Sequence, residues 1–193
     1  MSFLPPPATA CWLHREARSG FEVAYFRSAQ DGWAIDGTTA AVEDTQTWVV
    51  TYSIWLDAAW VTRNARITAR NVAGSREILL TTDGAGSWLV NGERAPGLDG
   101  CLDVDLESSA MTNTLPVHRL GLAAGGQADA PAAYVRALDL SAGRLEQTYR
   151  RLADESGHQR YDYAAPAFGF TSCLVYDESG LVLDYPGIAR RAG

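Results

Sequence analysis

The sequence predicts a mainly β protein built around one large antiparallel sheet, with few short helices. Three observations predict it. Apolar side chains recur with a period of two, which sends alternate residues to opposite faces of a strand. The alternating runs are short. Compact turn signals separate them, and no repeat, low-complexity tract or interdomain linker interrupts residues 1–193, so one domain is expected. A sheet of roughly ten strands curls or closes rather than staying flat. Its concave side then either fills with side chains or encloses a cavity.

Residues 47–56 alternate most plainly: Trp48, Val50, Tyr52, Ile54 and Leu56 share one face, and Val49, Thr51, Ser53 and Trp55 the other. Residues 61–72 and 76–82 follow as strands on either side of the glycine-containing gap at 73–75, a hairpin signal. Asp83 to Gly86 makes a second turn, and residues 87–91 form a strand that runs into Asn91 and Gly92. Asn-Gly favours a hairpin because both positions tolerate positive φ. Pro96 and Gly97 then lead to the central strand, which carries Asp103 and Asp105. Beyond Gly125 and Gly126, residues 132–140 read as extended or partly helical. Residues 145–153 fit helical spacing through Leu145, Tyr149 and Leu152, but neighbouring strands favour a strand there too. Residues 161–164, 167–176 and 181–185 complete the series, and Pro186 ends sheet pairing after Tyr185.

A chain of 193 residues, 47% of them apolar, can enclose a substantial globular core. The net charge of −7 argues against nucleic acid or anionic lipid surfaces as general partners. Only a local basic patch would reverse that, and Arg190 with Arg191 is too short to be one. No stretch approaches the about 18 continuous apolar residues of a membrane span. Met1 to Pro7 has neither a basic n-region nor a long apolar run, which leads us to expect a cytoplasmic protein. Cys11, Cys101 and Cys173 are widely separated and odd in number, so buried reduced thiols are expected. No two of His14, His118 and His158 fall at metal-ligand spacing, and no glycine-rich loop cradles a phosphate. No metal and no cofactor is expected.

The chemistry concentrates in residues 100–120. Asp103 and Asp105 share one face of the central strand, with Cα atoms about 6.6–6.8 Å apart, and Leu102, Val104 and Leu106 take the other. Asn113, His118 and Arg119 follow closely. Carboxylates, an amide and an arginine in otherwise apolar sequence make either a buried polar network or a site, and the two can share residues. Trp60, Thr62 and Arg63 form a second element in which Thr62 shares a face with Trp60 and Arg63 points away. Such an arginine needs a carboxylate or an anion, and Asp103, Asp105 and Asp184 are internal candidates. Six tryptophans and eight tyrosines supply either sheet core or the wall of an apolar cavity. Tyr185 either caps the barrel or reaches a ligand.

The ordered residues Cys101, Asp103, Asp105, Thr112, Asn113, Leu115, Pro116, Arg119 and Leu120 resemble the bacterial glycolipid-binding protein family, a former domain of unknown function. The likeness extends upstream through Trp12, Gly20, Glu22, Gly37, Tyr52, Trp60, Arg63 and Trp88. Downstream it takes in Tyr149, Tyr161, Tyr163, Phe168, Gly180, Asp184, Tyr185 and Pro186. His118 stands where the family pattern has a second arginine, and Ser109 and Ala110 where it has Thr-Pro. The resemblance implies a half-open barrel similar to bacterial lipoprotein carriers, and a glycolipid or related lipid as ligand.

The expected function is therefore non-catalytic binding of an amphipathic ligand in the cavity of the curved sheet. Trp60, Arg63, Asp103, Asp105, Asn113, Arg119 and Tyr185 are the candidate ligand-binding residues. One rival is a small hydrolase acting on a glycosyl or acyl substrate through Asp103, Asp105 and His118. Two carboxylates on one strand point the same way, however, whereas glycoside hydrolysis needs them to flank the bond. The other rival is an interaction module with a packed barrel.

Overall fold

The computed structural model describes residues 3–192; Met1 and Ser2 of the N-terminal segment considered above lie outside it, as does Gly193. Its strands are β1 (Thr9–His14), β2 (Ser19–Ala29), β3 (Gly32–Glu43), β4 (Gln46–Asp57), β5 (Thr62–Asn71), β6 (Gly74–Thr82), β7 (Trp88–Val90), β8 (Glu93–Arg94) and β9 (Asp103–Leu106). A helix α1 (Thr114–Leu120) follows, preceded by a short 3-10 turn at Met111–Asn113. The remaining strands are β10 (Gln127–Asp129), β11 (Ala132–Val135), β12 (Ala142–Leu145), β13 (Thr148–Arg151), β14 (Gln159–Ala165), β15 (Phe170–Tyr176), β16 (Val182–Tyr185) and β17 (Ala189–Arg191).

Fourteen strands join in one antiparallel sheet in the order β10-β13-β14-β15-β16-β17-β1-β2-β3-β4-β5-β6-β7-β8, and its two edges do not meet. The sheet is thus a large, curved and half-open barrel. A smaller sheet, β12-β11-β9, pairs β9 with β11 in parallel. The turns at Asp83–Gly86 and Asn91–Gly92 fall where the dipeptides place them, and both Asn91 and Gly92 take positive φ. Residues 145–153 contribute strands, not a helix.

The periodicity that marks β4 is weaker in β1 to β3, which the sequence reading left unplaced. In β2 both faces carry apolar residues: Phe21, Val23 and Tyr25 point outward, while Glu22, Ala24 and Phe26 are buried. In β3 the buried positions are mostly small. Gly37 lies directly beneath the Tyr52 ring, where any Cβ would sit about 2.2 Å from the ring atoms. The ring therefore crosses β3 and brings its hydroxyl to Glu22 on β2.

The helix occupies the concave side. Tyr149 on β13 and Tyr176 on β15 both donate to Asn113, at Oδ1 (2.9 Å) and at the backbone carbonyl (3.1 Å) respectively. At the helix's other end the Trp60 and His118 rings stack, with centroids 3.6 Å apart. Asp57 organises the turn that presents Trp60: its Oδ1 accepts from the Ala59 and Val61 amides, and its carbonyl accepts from the Trp60 amide. Trp60 itself holds φ +65, unusual for a bulky side chain, and the Asp57 bonds fix it there.

Candidate functional site

Strand β9 is buried on both faces, and its two carboxylates share one of them as the alternation requires. Asp103 receives Nε of Arg119 at 3.0 Å on Oδ1 and Nη2 at 2.6 Å on Oδ2, a bidentate pair between β9 and α1. Asp105 accepts from Thr112 Oγ1 at 2.8 Å and from Gln147 Nε2 at 2.5 Å. Burial pushes both carboxyl groups above their usual pKa, and these donors oppose the shift. Thr62 fastens the strand to the large sheet: its amide donates to the Leu102 carbonyl, and its Oγ1 accepts from the Val104 amide, each at 3.0 Å.

Glu22 is a polar centre that the sequence reading did not single out as a site residue. It is fully buried, and its carboxylate accepts from Tyr52 Oη at 2.6 Å, Ser109 Oγ, and the Ala110 and Met111 amides at 2.8 and 3.3 Å. Those amides open the 3-10 turn that leads into α1, so Glu22 satisfies donors that a helical start leaves unpaired. Burial raises its pKa, and the four donors counter that. A glutamate on the inward face of β2, between Gly20 and Ala24, was the available signal.

Beside this network lies a cavity of about 260 Å³. Asp105, Ser109 and Asn113 reach it from β9 and the helical segment, and Arg18 and Glu107 add charge. Its wall is aromatic: Tyr163, Phe170 and Tyr185 pack with centroids 5.9–6.2 Å apart, and Tyr134 packs against Phe168 at 5.5 Å. The turns between β1 and β2, β14 and β15, and β16 and β17 form the rim through Arg18, Phe168 and Ile188. The helix fills the opposite end of the barrel, where Trp60 and His118 stack.

The structure thus divides the seven candidate residues. Asp105, Asn113 and Tyr185 line the cavity. Asp103 and Arg119 hold β9 to the helix. Trp60 packs on His118, away from the cavity. Arg63 faces outward, 3.8 Å from Asp57 and lying across Gly84, whose missing side chain makes room for the guanidinium. It therefore does not reach Asp103, Asp105 or Asp184. The aromatic lining from β11, β14 and β15 escaped the sequence reading because Tyr134, Tyr163 and Phe170 look like ordinary inward strand residues.

His118 is not bonded to Asp103 or Asp105, the carboxylates of the hydrolase alternative. Its Nε2 donates to the Ser179 carbonyl at 2.9 Å, while Ser109 is bound to Glu22 and Asp105 to Thr112 and Gln147. Burial lowers the His118 pKa to about 4, and the rings of Trp60 and Phe3 pack on the imidazole. As pH falls below 6.5 the unfolded chain takes up this proton while the folded imidazole resists, so stability present above 6.5 is lost towards about 4. The loss assigned to His118 is up to about 3 kcal/mol. Urea midpoints compared at neutral and mildly acidic pH should show a smaller drop in His118→Gln than in the parent.

The half-open antiparallel barrel is plugged at one end by a buried helix and holds the cavity at the other. The chain belongs to the family described as "Putative glycolipid-binding", whose model matches residues 9–191. It is similar to a crystal structure of a DUF1089 family protein from Pseudomonas aeruginosa, with 34% identity and a TM-score of 0.76, over 89% of this chain and 92% of that one. It is also similar in fold to a β-barrel-like DUF1849 protein from Brucella abortus, with 12% identity and a TM-score of 0.52, over 98% and 96% of the two chains. No curated protein matches it. Among the described residues, no helix is long and apolar enough to cross a membrane.

Proposed function

We propose that the protein binds an amphipathic ligand, a glycolipid or related lipid, without chemical conversion, and that the cavity receives the ligand's polar end. One observation carries this reading: an aromatic wall of Tyr163, Phe170 and Tyr185 faces the carboxylate of Asp105 and the amide of Asn113. Aromatic faces stack on sugar rings, and carboxylate and amide oxygens accept from sugar hydroxyls. The family description agrees with that ligand class. A cavity of about 260 Å³ lies just below the ~300–1,000 Å³ that encloses a drug-sized ligand. It is sized for one sugar ring, with the acyl portion leaving past Phe168 and Ile188. A barrel serving only as a packed interaction module would leave no such space.

Titration with octyl glucoside, followed by tyrosine and tryptophan fluorescence, tests the reading. The parent should saturate, and Tyr185→Ala should weaken binding roughly tenfold, the loss of about 1.4 kcal/mol expected for one stacking face. Equal affinity in parent and variant, with unchanged melting temperature, would remove the cavity from the account.

A further inference from the structure

We propose that the hollow end of the barrel docks on a phospholipid surface, with exposed apolar side chains in the interface and arginines on the lipid phosphates. The inference stands on the outer surface and does not depend on what the cavity holds. Strand register places Arg190, Leu13, Phe21, Ala40, Val49 and Arg70 in one continuous cross-strand row over β17, β1, β2, β3, β4 and β5. Leu13, Phe21 and Val49 are 55%, 47% and 38% exposed. The water-facing side of an antiparallel sheet is normally polar, and a contiguous apolar row there marks a contact surface. The row lies just behind the turns at 15–18, 44–45 and 72–73. These are at the same end of the barrel as the cavity rim, and Val72 at one tip is 99% exposed.

Guanidinium groups without an ion-pair partner point to phosphate. Eleven of the sixteen arginines have a carboxylate within ion-pair distance. The five that have none among the described residues are Arg15, Arg70, Arg76, Arg136 and Arg190, all exposed and all at this end. Arg15 sits in the β1–β2 turn, and Arg70 and Arg76 flank the β5–β6 turn. Arg136 belongs to a loop tied there by Asn71 Nδ2 donating to the Leu138 carbonyl. Glu16, Asp44, Glu107 and Asp139 share the end, and Asp184 stands opposite Arg190 in the ladder, so the end is not net basic: the arginines orient the molecule while the apolar row supplies most of the attraction. A second copy fits less well: two-fold pairing on this row sets arginine against arginine whichever way the axis runs. Phospholipids satisfy both features at once, phosphates meeting the arginines and the acyl region the apolar row.

Flotation of the full chain with vesicles tests this, using phosphatidylcholine alone and in equal parts with phosphatidylglycerol, at low and high salt and with no cavity ligand added. Binding to the mixed vesicles, weakened by salt, is expected. Phe21→Ser should reduce it about tenfold and Arg190→Ala roughly fivefold, each at unchanged melting temperature. Asp105→Asn, inside the cavity, should bind vesicles as the parent does if it remains folded, which separates this inference from the cavity reading. Absence of vesicle binding would overturn the proposal. So would binding indifferent to Phe21→Ser and Arg190→Ala, or a sedimenting dimer that the same substitutions dissolve.

Discussion

Glu22→Ala should destabilise the protein by about 4 kcal/mol, read as a lowered urea midpoint with an unchanged slope. Removing the carboxylate leaves the Tyr52 and Ser109 hydroxyls and the Ala110 and Met111 amides without their buried acceptor. Each orphaned donor costs roughly 1–3 kcal/mol, and partial relaxation keeps the total below the simple sum. Glu22→Gln, which retains one acceptor oxygen but turns an amide towards donors, should cost about half as much. A variant as stable as the parent would mean that the helical segment is held in the barrel by packing alone.

Asp103→Ala should cost about 3–5 kcal/mol, because it strands the Arg119 guanidinium in a largely buried position. Side-chain exposures of 13% for Arg119 and 2% for Asp103 place the pair in the interior. A buried pair is nevertheless a poor source of net stability. Replacing both partners by apolar residues, Asp103→Leu with Arg119→Met, should recover most of the loss. Octyl glucoside affinity separates the roles: the double variant should still bind, since neither side chain lines the cavity. Loss of binding in a stable double variant would make the pair part of the site.

The sheet was legible wherever one face is apolar and the other polar, as in β4, and wherever turn chemistry is local, as at Asn91 and Gly92. It was illegible in β2, where Glu22 occupies an inward position and Phe21 an outward one. Both exceptions now have physical reasons: Glu22 caps the 3-10 turn ahead of the buried helix, and Phe21 belongs to the exposed apolar row. Asp103 and Asp105 could be placed on one strand face from spacing alone. Their separate partners could not, since Arg119, Thr112 and Gln147 reach them only after the helix folds into the barrel. Arg63 was drawn towards the cluster by residue type, while Gly84 and Asp57 hold it outside. The unpaired arginines were invisible for a similar reason: they are scattered from position 15 to 190 and meet only in three dimensions.

The most direct test of the cavity as a ligand site is native mass spectrometry of freshly purified protein beside Ile188→Trp, whose indole would occupy the rim. The parent should carry a non-covalent lipid or glycolipid adduct, absent from the denatured spectrum and absent from the variant. An adduct carried equally by both proteins, or a parent that refuses both native lipid and added octyl glucoside, would contradict it.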